Sequence, residues 1–194
     1  MDFDGSNDYV TIPNSPSFAL GNVLTLSMWV FRKVGQREVI IGQLNASNAW
    51  HLEAGSAERV AVFIPGVFVA ETNNNAITTN VWHHIVYTRS GTGSGTHAIY
   101  VDSINQSLLT DAANNFVDTT NNKEFGRRSS GSFHFAGLID DVRIYNRALS
   151  SIEVKQLYAN PYANILRARI EKRFSVLSIA AKRGRDSLLT IKVG

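Results

Sequence analysis

The residues of this 194-residue chain with the types and spacing to do chemistry are a few carboxylates and five histidines. Asp4 and Asp8 flank a Gly5-Ser6-Asn7 turn, which offers hard oxygen ligands and free carbonyls. In Gly137-Leu138-Ile139-Asp140-Asp141-Val142-Arg143-Ile144-Tyr145, strand alternation puts Asp140 on the face of Leu138, Val142 and Ile144, and Asp141 on the face of Ile139 and Arg143. An ionised carboxylate left unpaired on an apolar face is costly. Asp140 is therefore expected to accept backbone N–H bonds, meet a cation or bind a metal.

The histidines are 51, 83, 84, 97 and 134. The adjacent His83 and His84 point to opposite faces of a strand and cannot chelate one ion in regular geometry, so core or sheet-surface roles are expected for all five. Gly91-Thr92-Gly93-Ser94-Gly95 has the glycines of a linker between hairpin strands, not the Gly-x-Ser-x-Gly of a nucleophile elbow. Glu53, Glu58, Glu71, Glu124 and Glu153 are solitary and read as solvated surface positions. No acid, base and nucleophile set emerges, and the chain is expected not to be an enzyme.

Trp50, Phe63, Phe68 and Trp82 lie in or beside strand-like runs, where ring faces either fill a core or stack on sugars. Trp50 and His51, flanked by Asn45 and Asn48, are the candidate glycan contact. Asn45-Ala46-Ser47 and Asn105-Gln106-Ser107 fit glycosylation sequons but are expected to be inert without a secretory route.

The elements that must position these residues are mostly strands. Leu24, Leu26, Met28 and Val30 alternate onto one face, and further strands are expected at 39–44, 49–53, 59–64, 82–89, 97–102, 123–127 and 133–145, separated by Gly-, Asn- and Ser-rich turns. Many short strands at such spacing predict an all-β, antiparallel two-sheet jelly-roll sandwich. One helix is signed over 151–158: Ser150 and Glu153 make a capping box, Leu149 and Val154 a hydrophobic staple, and Asn160-Pro161 the stop.

The formal net charge is +3. Residues 159–194 hold eight Lys or Arg against Glu171 and Asp186, a net of +6, which leaves −3 on residues 1–158. The basicity belongs to a C-terminal arm and not to a nucleic-acid face; basic and aromatic residues do not alternate there as stacking on nucleotides would require. No apolar stretch reaches the length of a membrane span, and residues 1–20 lack a basic, then apolar leader, so the mature protein is expected to begin at Met1. The absence of cysteine removes disulfides and thiolate metal sites.

Four ordered blocks carry a family resemblance: Phe3-Asp4-Gly5-Ser6-Asn7-Asp8-Tyr9-Val10, Trp29-Val30, Trp82-His83-His84-Ile85-Val86, and Gly137 to Tyr158 with Asp140-Asp141-Val142-Arg143-Ile144-Tyr145-Asn146-Arg147-Ala148-Leu149 at its heart. Over residues 1–158 the chain resembles the LamG-like jelly roll of the concanavalin A-like lectin and glucanase superfamily. The resemblance implies that the first and last strands are neighbours, so that Asp4, Asp8 and Asp140 hold one structural Ca²⁺ at the sandwich rim or tie down turns through hydrogen bonds alone. Glycosidases of that superfamily carry two carboxylates two to four residues apart on one strand, and neither Glu-x-Asp-x-Glu nor Glu-x-Asp-x-x-Glu occurs in this sequence. Leu157-Tyr158-Ala159-Asn160-Pro161-Tyr162 looks like the ending of stand-alone LamG-like proteins in phage and prophage genomes.

In the arm, residues 173–180 and 188–193 read as strands joined by a turn at 182–187, while 164–173 reads equally as a basic helix. An apolar strand left bare would aggregate, so the arm either adds strands to its own sandwich or docks on another subunit, the favoured placement. Arg167, Arg169, Lys172, Arg173, Phe174, Lys182, Arg183 and Arg185 are its partner-binding residues. Together these readings predict a non-enzymatic phage virion display protein, first of all a capsid decoration protein, assembled in the bacterial cytoplasm. Its partners would be other virion subunits and further copies of itself, with no nucleic acid and no membrane. The alternatives are a tail or fibre adhesin that touches host-surface glycan, and a stand-alone bacterial glycan-binding domain.

Overall fold

The computed structural model describes residues 1–15, 21–43, 50–64, 66–115, 121–128 and 131–160, together with the backbone of 192–193. The arm residues Arg167, Arg169, Lys172, Arg173, Phe174, Lys182, Arg183 and Arg185, and the flanking Asn45 and Asn48, lie outside them.

The strands are β1 (Asp2–Asp4), β2 (Val10–Ile12), β3 (Leu24–Arg32), β4 (Glu38–Gln43), β5 (His51–Ala54), β6 (Val60–Ile64), β7 (Val67–Thr72), β8 (Trp82–Arg89), β9 (His97–Val101), β10 (Ile104–Asn105), β11 (Leu108–Asp111), β12 (Lys123–Phe125), β13 (Ala136–Tyr145) and β14 (Lys192–Val193). Sheet A runs β1-β13-β3-β8-β9-β10 with β14 on β13, and sheet B runs β11-β7-β6-β5-β4-β12-β2. Every pairing is antiparallel except β13 with β14. This is the expected jelly-roll sandwich. The expected neighbours also meet, with Asp2 opposite Leu138 and Asp4 opposite Ala136.

Alternation builds the core. Leu24, Leu26, Met28 and Val30 of β3 face inward as predicted, with Ile85, Tyr87, Ile139 and Ile144 from the same sheet and Trp50, Leu52, Val62 and Phe125 from the other. Gly137 is required by close approach: a Cβ there would lie 2.0 Å from the Phe31 carbonyl oxygen. Inside the sandwich Arg32 Nε donates to Glu38 Oε2 at 3.2 Å, while Glu38 Oε1 accepts from the Ala136 N–H at 2.8 Å. Burial pushes the Glu38 carboxyl up, and these bonds pull against that rise. The pair clamps the β3–β4 connection and, by alternation, turns Arg37 outward.

Helix α1 (Ser151–Ala159) starts with the predicted capping box. Its Val154 and the preceding Leu149 are both buried against Val86 and Tyr100 on the outer face of sheet A.

Three expectations are corrected here, the first being that Glu53 and Glu124, read as solvated surface positions, are buried. Asp140 is exposed rather than core-facing, because β13 carries a bulge: Asp140 pairs with Trp29 but Arg143 with Ser27, so one extra residue sits on β13. Asp141 takes φ +44° there, and the parity change turns Ile139, Val142 and Ile144 inward. Trp50 and His51, expected as an exposed glycan contact, are only 0% and 4% exposed. Trp50 shares its parity with Leu52 and Ala54 and fills the core beside them. For the arm, β14 adds to its own sandwich in parallel with β13, Lys192 opposite Arg143 and Val193 opposite Ile144.

Candidate functional site

His51 leads to the site even though Trp50 does not. The outer face of sheet B carries one unbroken row across six strands: Thr11 opposite Glu124, Glu124 opposite Gly42, Gly42 opposite His51, His51 opposite Phe63, and Phe63 opposite Phe68. The row exists because the apolar residues of opposite parity, Leu52, Val60, Val62 and Phe125, are claimed by the core. Gly42 is required there by the close approach of its neighbour, since a Cβ would meet the His51 Cβ at 2.8 Å.

At one end of the row the rings gather. His51 lies over Phe63 with centroids 4.8 Å apart, and Phe63 meets Phe68 edge-on at 5.3 Å. The Arg37 guanidinium sits over Phe63, Phe68 and Phe133 at 5.3, 5.4 and 4.9 Å. It also forks onto Glu53, Nε to Oε1 and Nη2 to Oε2, both at 2.9 Å. Glu53 is 1% exposed, and His51 Nε2 lies 3.1 Å from its Oε2. Phe133 is held down by its carbonyl, which accepts from the Val39 N–H at 2.9 Å, and its φ of +54° is a strained conformation for a bulky residue. Arg128 lies 5.7 and 5.8 Å from the centres of Phe63 and Phe133, and no carboxylate pairs with it among the described residues.

At the other end Arg127 forks onto Glu124, Nε to Oε2 at 2.8 Å and Nη2 to Oε1 at 3.0 Å, and lies over the Tyr9 ring at 3.4 Å. The Glu124 bonds raise the Arg127 pKa further. Thr11 Oγ1 donates to Glu124 Oε1 at 3.0 Å. Aromatic rings beside fixed guanidinium and carboxylate groups suit a ligand with apolar faces and many hydroxyls. They do not suit glycosidase chemistry. Glu53 and Glu124 have β4 between them, so at ~4.8 Å per strand their backbones are about 10 Å apart or more, and both oxygens of each are taken by an arginine.

The carboxylates expected to hold calcium are not assembled. Asp4 Oδ1 accepts the N–H groups of Ser6 and Asn7 at 2.7 and 3.2 Å, which hold its pKa below the usual range, and Asp8 Oδ2 accepts the Asp4 N–H at 3.0 Å. Asp140 stands four residues along β13 from Ala136, the partner of Asp4, so roughly 13 Å away along the strand. Its Oδ1 accepts the Asp141 N–H. Among the described residues no three His, Asp or Glu side chains group as a metal requires, and these three do not fit the ion.

The paired histidines separate as expected. His83 bonds Asp102 Oδ2 at 2.7 Å and faces Thr78, while His84 lies 2.9 Å from Ser27 Oγ, beside the stacked rings of Trp29 and Tyr158. Trp82 is exposed on sheet A beside Phe31, far from the row. Of the aromatic residues singled out in the sequence, Phe63 and Phe68 belong to the site. Arg37, Arg127, Arg128, Phe133 and Tyr9 were missed, although the parity of 50, 52 and 54 against 51 and 53 was available to tell Trp50 from His51.

The fold and the row define a lectin-type sandwich. Residues 4–155 match the family model of the concanavalin A-like lectin/glucanases superfamily, and the chain belongs to that family. Among solved structures it is similar to domain 4 of AbnA, an extracellular arabinanase from Geobacillus stearothermophilus, solved with arabinotriose (TM-score 0.58, 19% identity, 76% of this chain and 71% of that one). It is also similar to the binding domain of botulinum neurotoxin serotype G (0.61, 15%, 84% and 42%) and to Trypanosoma rangeli sialidase solved with sialic acid (0.57, 16%, 83% and 27%). The chain thus spans under half the length of the last two. A comparison with curated proteins finds no match.

Proposed function

We propose that this chain is a non-catalytic carbohydrate-binding module whose ligand lies along the outer face of sheet B. The observation that carries this reading is the Arg37–Glu53 fork packed on Phe63, Phe68 and Phe133, on one sheet face with the Glu124–Arg127 fork. Rings provide faces for sugar C–H groups, and guanidinium groups already held by carboxylates meet hydroxyls with little ordering cost. Arg128, cationic and without a carboxylate partner among the described residues, favours a glycan that bears an acidic group. The arabinotriose on the similar arabinanase domain supports a sugar ligand.

A glycan array followed by titration calorimetry tests this. Binding that Phe63→Ala weakens and Trp82→Ala spares is expected; binding lost only with Trp82→Ala would move the site to sheet A. Display of the module on a phage particle, with the arm as its anchor, is a second and compatible reading. It is supported by the ending at 157–162 and by the +6 charge of the arm.

A further inference from the structure

Among the described residues two separate segments cover the outer edge of β13. β1 pairs with residues 136–138, and Met1 exchanges backbone hydrogen bonds with Ile139. From Asp140 onward the strand edge facing away from β3 carries only β14 among the described residues. An uncovered strand edge is a template for another strand. Here the template is filled by the last residues of the chain, in parallel, and a parallel neighbour cannot be supplied by a tight hairpin.

The connection is long. Residues 161–191 lie between α1 and β14, and a segment of that many residues spans at most about 100 Å at ~3.3 Å per residue, several times the ~15 Å radius of gyration expected for a body of this size. The arm can therefore arrive at its own β13 or at that of a neighbour. Charge favours either arrival: residues 1–158 sum to −3 and 159–194 to +6. Asp140 is exposed beside the acceptor edge, and Asp141 is next to it. Lys182, Arg183 and Arg185 shortly precede β14 in the sequence. The backbone bonds β14 makes at Arg143 and Ile144 are the same whichever copy provides it, so exchange needs no new interface.

We propose that β14 is an exchangeable strand: two copies of this chain form a dimer in which each β14 pairs with the β13 of the other. This stands apart from the glycan reading and does not depend on it. In dilute solution the tether holds β14 near its own edge at an effective concentration of ~mM, and the monomer prevails. Where copies are held side by side above that concentration, each arm takes the neighbour's edge.

The chain has no cysteine, which makes the register directly testable. Facing positions on paired strands lie within the ~4.4–6.8 Å Cα separation of a disulfide. Full-length Arg143→Cys and Lys192→Cys chains are mixed in equal amounts near ~1 mM and again at about a thousandth of that, then oxidised and mapped by mass spectrometry. The expected result is a 143-to-192 link between chains in the concentrated sample and its near absence in the dilute one. A mixture that gives no such link at either concentration overturns exchange, as does a double-cysteine chain that closes only on itself throughout. Because Arg143 also holds Asp141, sedimentation of the chain with its natural sequence gives a second readout. It should dimerise near ~1 mM and lose that dimer when 192–194 are deleted; a dimer that survives the deletion, or none at all, also overturns the proposal.

Discussion

Arg37 and Glu53 are joined by two parallel hydrogen bonds of 2.9 Å, with the carboxylate buried and the guanidinium roofed by three phenylalanine rings. A charge at 1% exposure whose partner is removed keeps its desolvation cost and loses its compensation. Arg37→Ala is therefore expected to destabilise the fold by about 1–3 kcal/mol, the lower end reflecting the partial exposure of Arg37. Arg37→Ala with Glu53→Gln should recover part of that loss. Denaturant titration of the natural sequence and the two variants reads the difference. Glycan affinity should stay low in the double variant, since the amide restores neither cation nor fork.

The rings give a second expectation. Phe63 and Phe68 are partly exposed and lie in the row, whereas Trp82 is exposed on the opposite sheet. Truncating either phenylalanine to alanine should weaken glycan binding by about tenfold, the scale of one lost ring contact, and Trp82→Ala should not change it. Calorimetry on the glycan chosen by an array measures all three. Arg128→Ala should weaken acidic glycans selectively, and equal losses on neutral and acidic sugars would remove charge from the account.

Residue identity made much of this fold readable before any coordinates. Leu24, Leu26, Met28 and Val30 share a face because apolar residues recur at every second position of a nine-residue strand, and Ser150 with Glu153 starts α1 because both bonds of the capping box are local. The failures are non-local. Asp140 went to the wrong face because the bulge opposite Trp29 and Ser27 changes strand parity, and nothing in the β13 sequence announces an extra residue. Trp50 and His51 were read together although neighbours on a strand point apart, so half of that pair belonged to the core and half to the site. Arg37 and Phe133 are nearly a hundred residues apart in sequence, and only the path of the loop before β13 brings them to 4.9 Å.

The calcium expectation has its own outcome. Asp4 already caps its turn through Ser6 and Asn7, and Asp140 stands well along β13 from it. Thermal melting in excess EDTA and in excess calcium should give the same midpoint, because an ion bound only by the native state would raise it by mass action. Asp4→Ala should lower the midpoint in both solutions alike, through the turn. A midpoint that rises with calcium would mean that these carboxylates, or others outside the described residues, do bind the ion.

The last expectation concerns acid. His84 is buried, with Ser27 and Trp29 on β3, Arg143 on β13, Asp102 after β9 and Tyr158 on α1 around it. Burial, then the Arg143 charge, push its pKa down from 6.5 to about 4, with Asp102 pulling the other way. Below pH 6.5 the unfolded chain takes up a proton at this residue and the folded one does not, so stability falls as pH drops from about 6.5 to about 4 and levels off below. On the scale of ~1.4 kcal/mol per unit, the full loss is on the order of 3 kcal/mol. His97, also lowered by burial, adds to the same slope. Urea titrations across this range should therefore show His84→Gln less acid-sensitive than the natural sequence, though not flat. Tyr158→Ala, which uncovers the ring without touching its hydrogen bond to Ser27, should raise the His84 pKa toward 6.5 in an NMR titration. If the pKa stays near 4 in that variant, the helix is not what keeps this histidine dry.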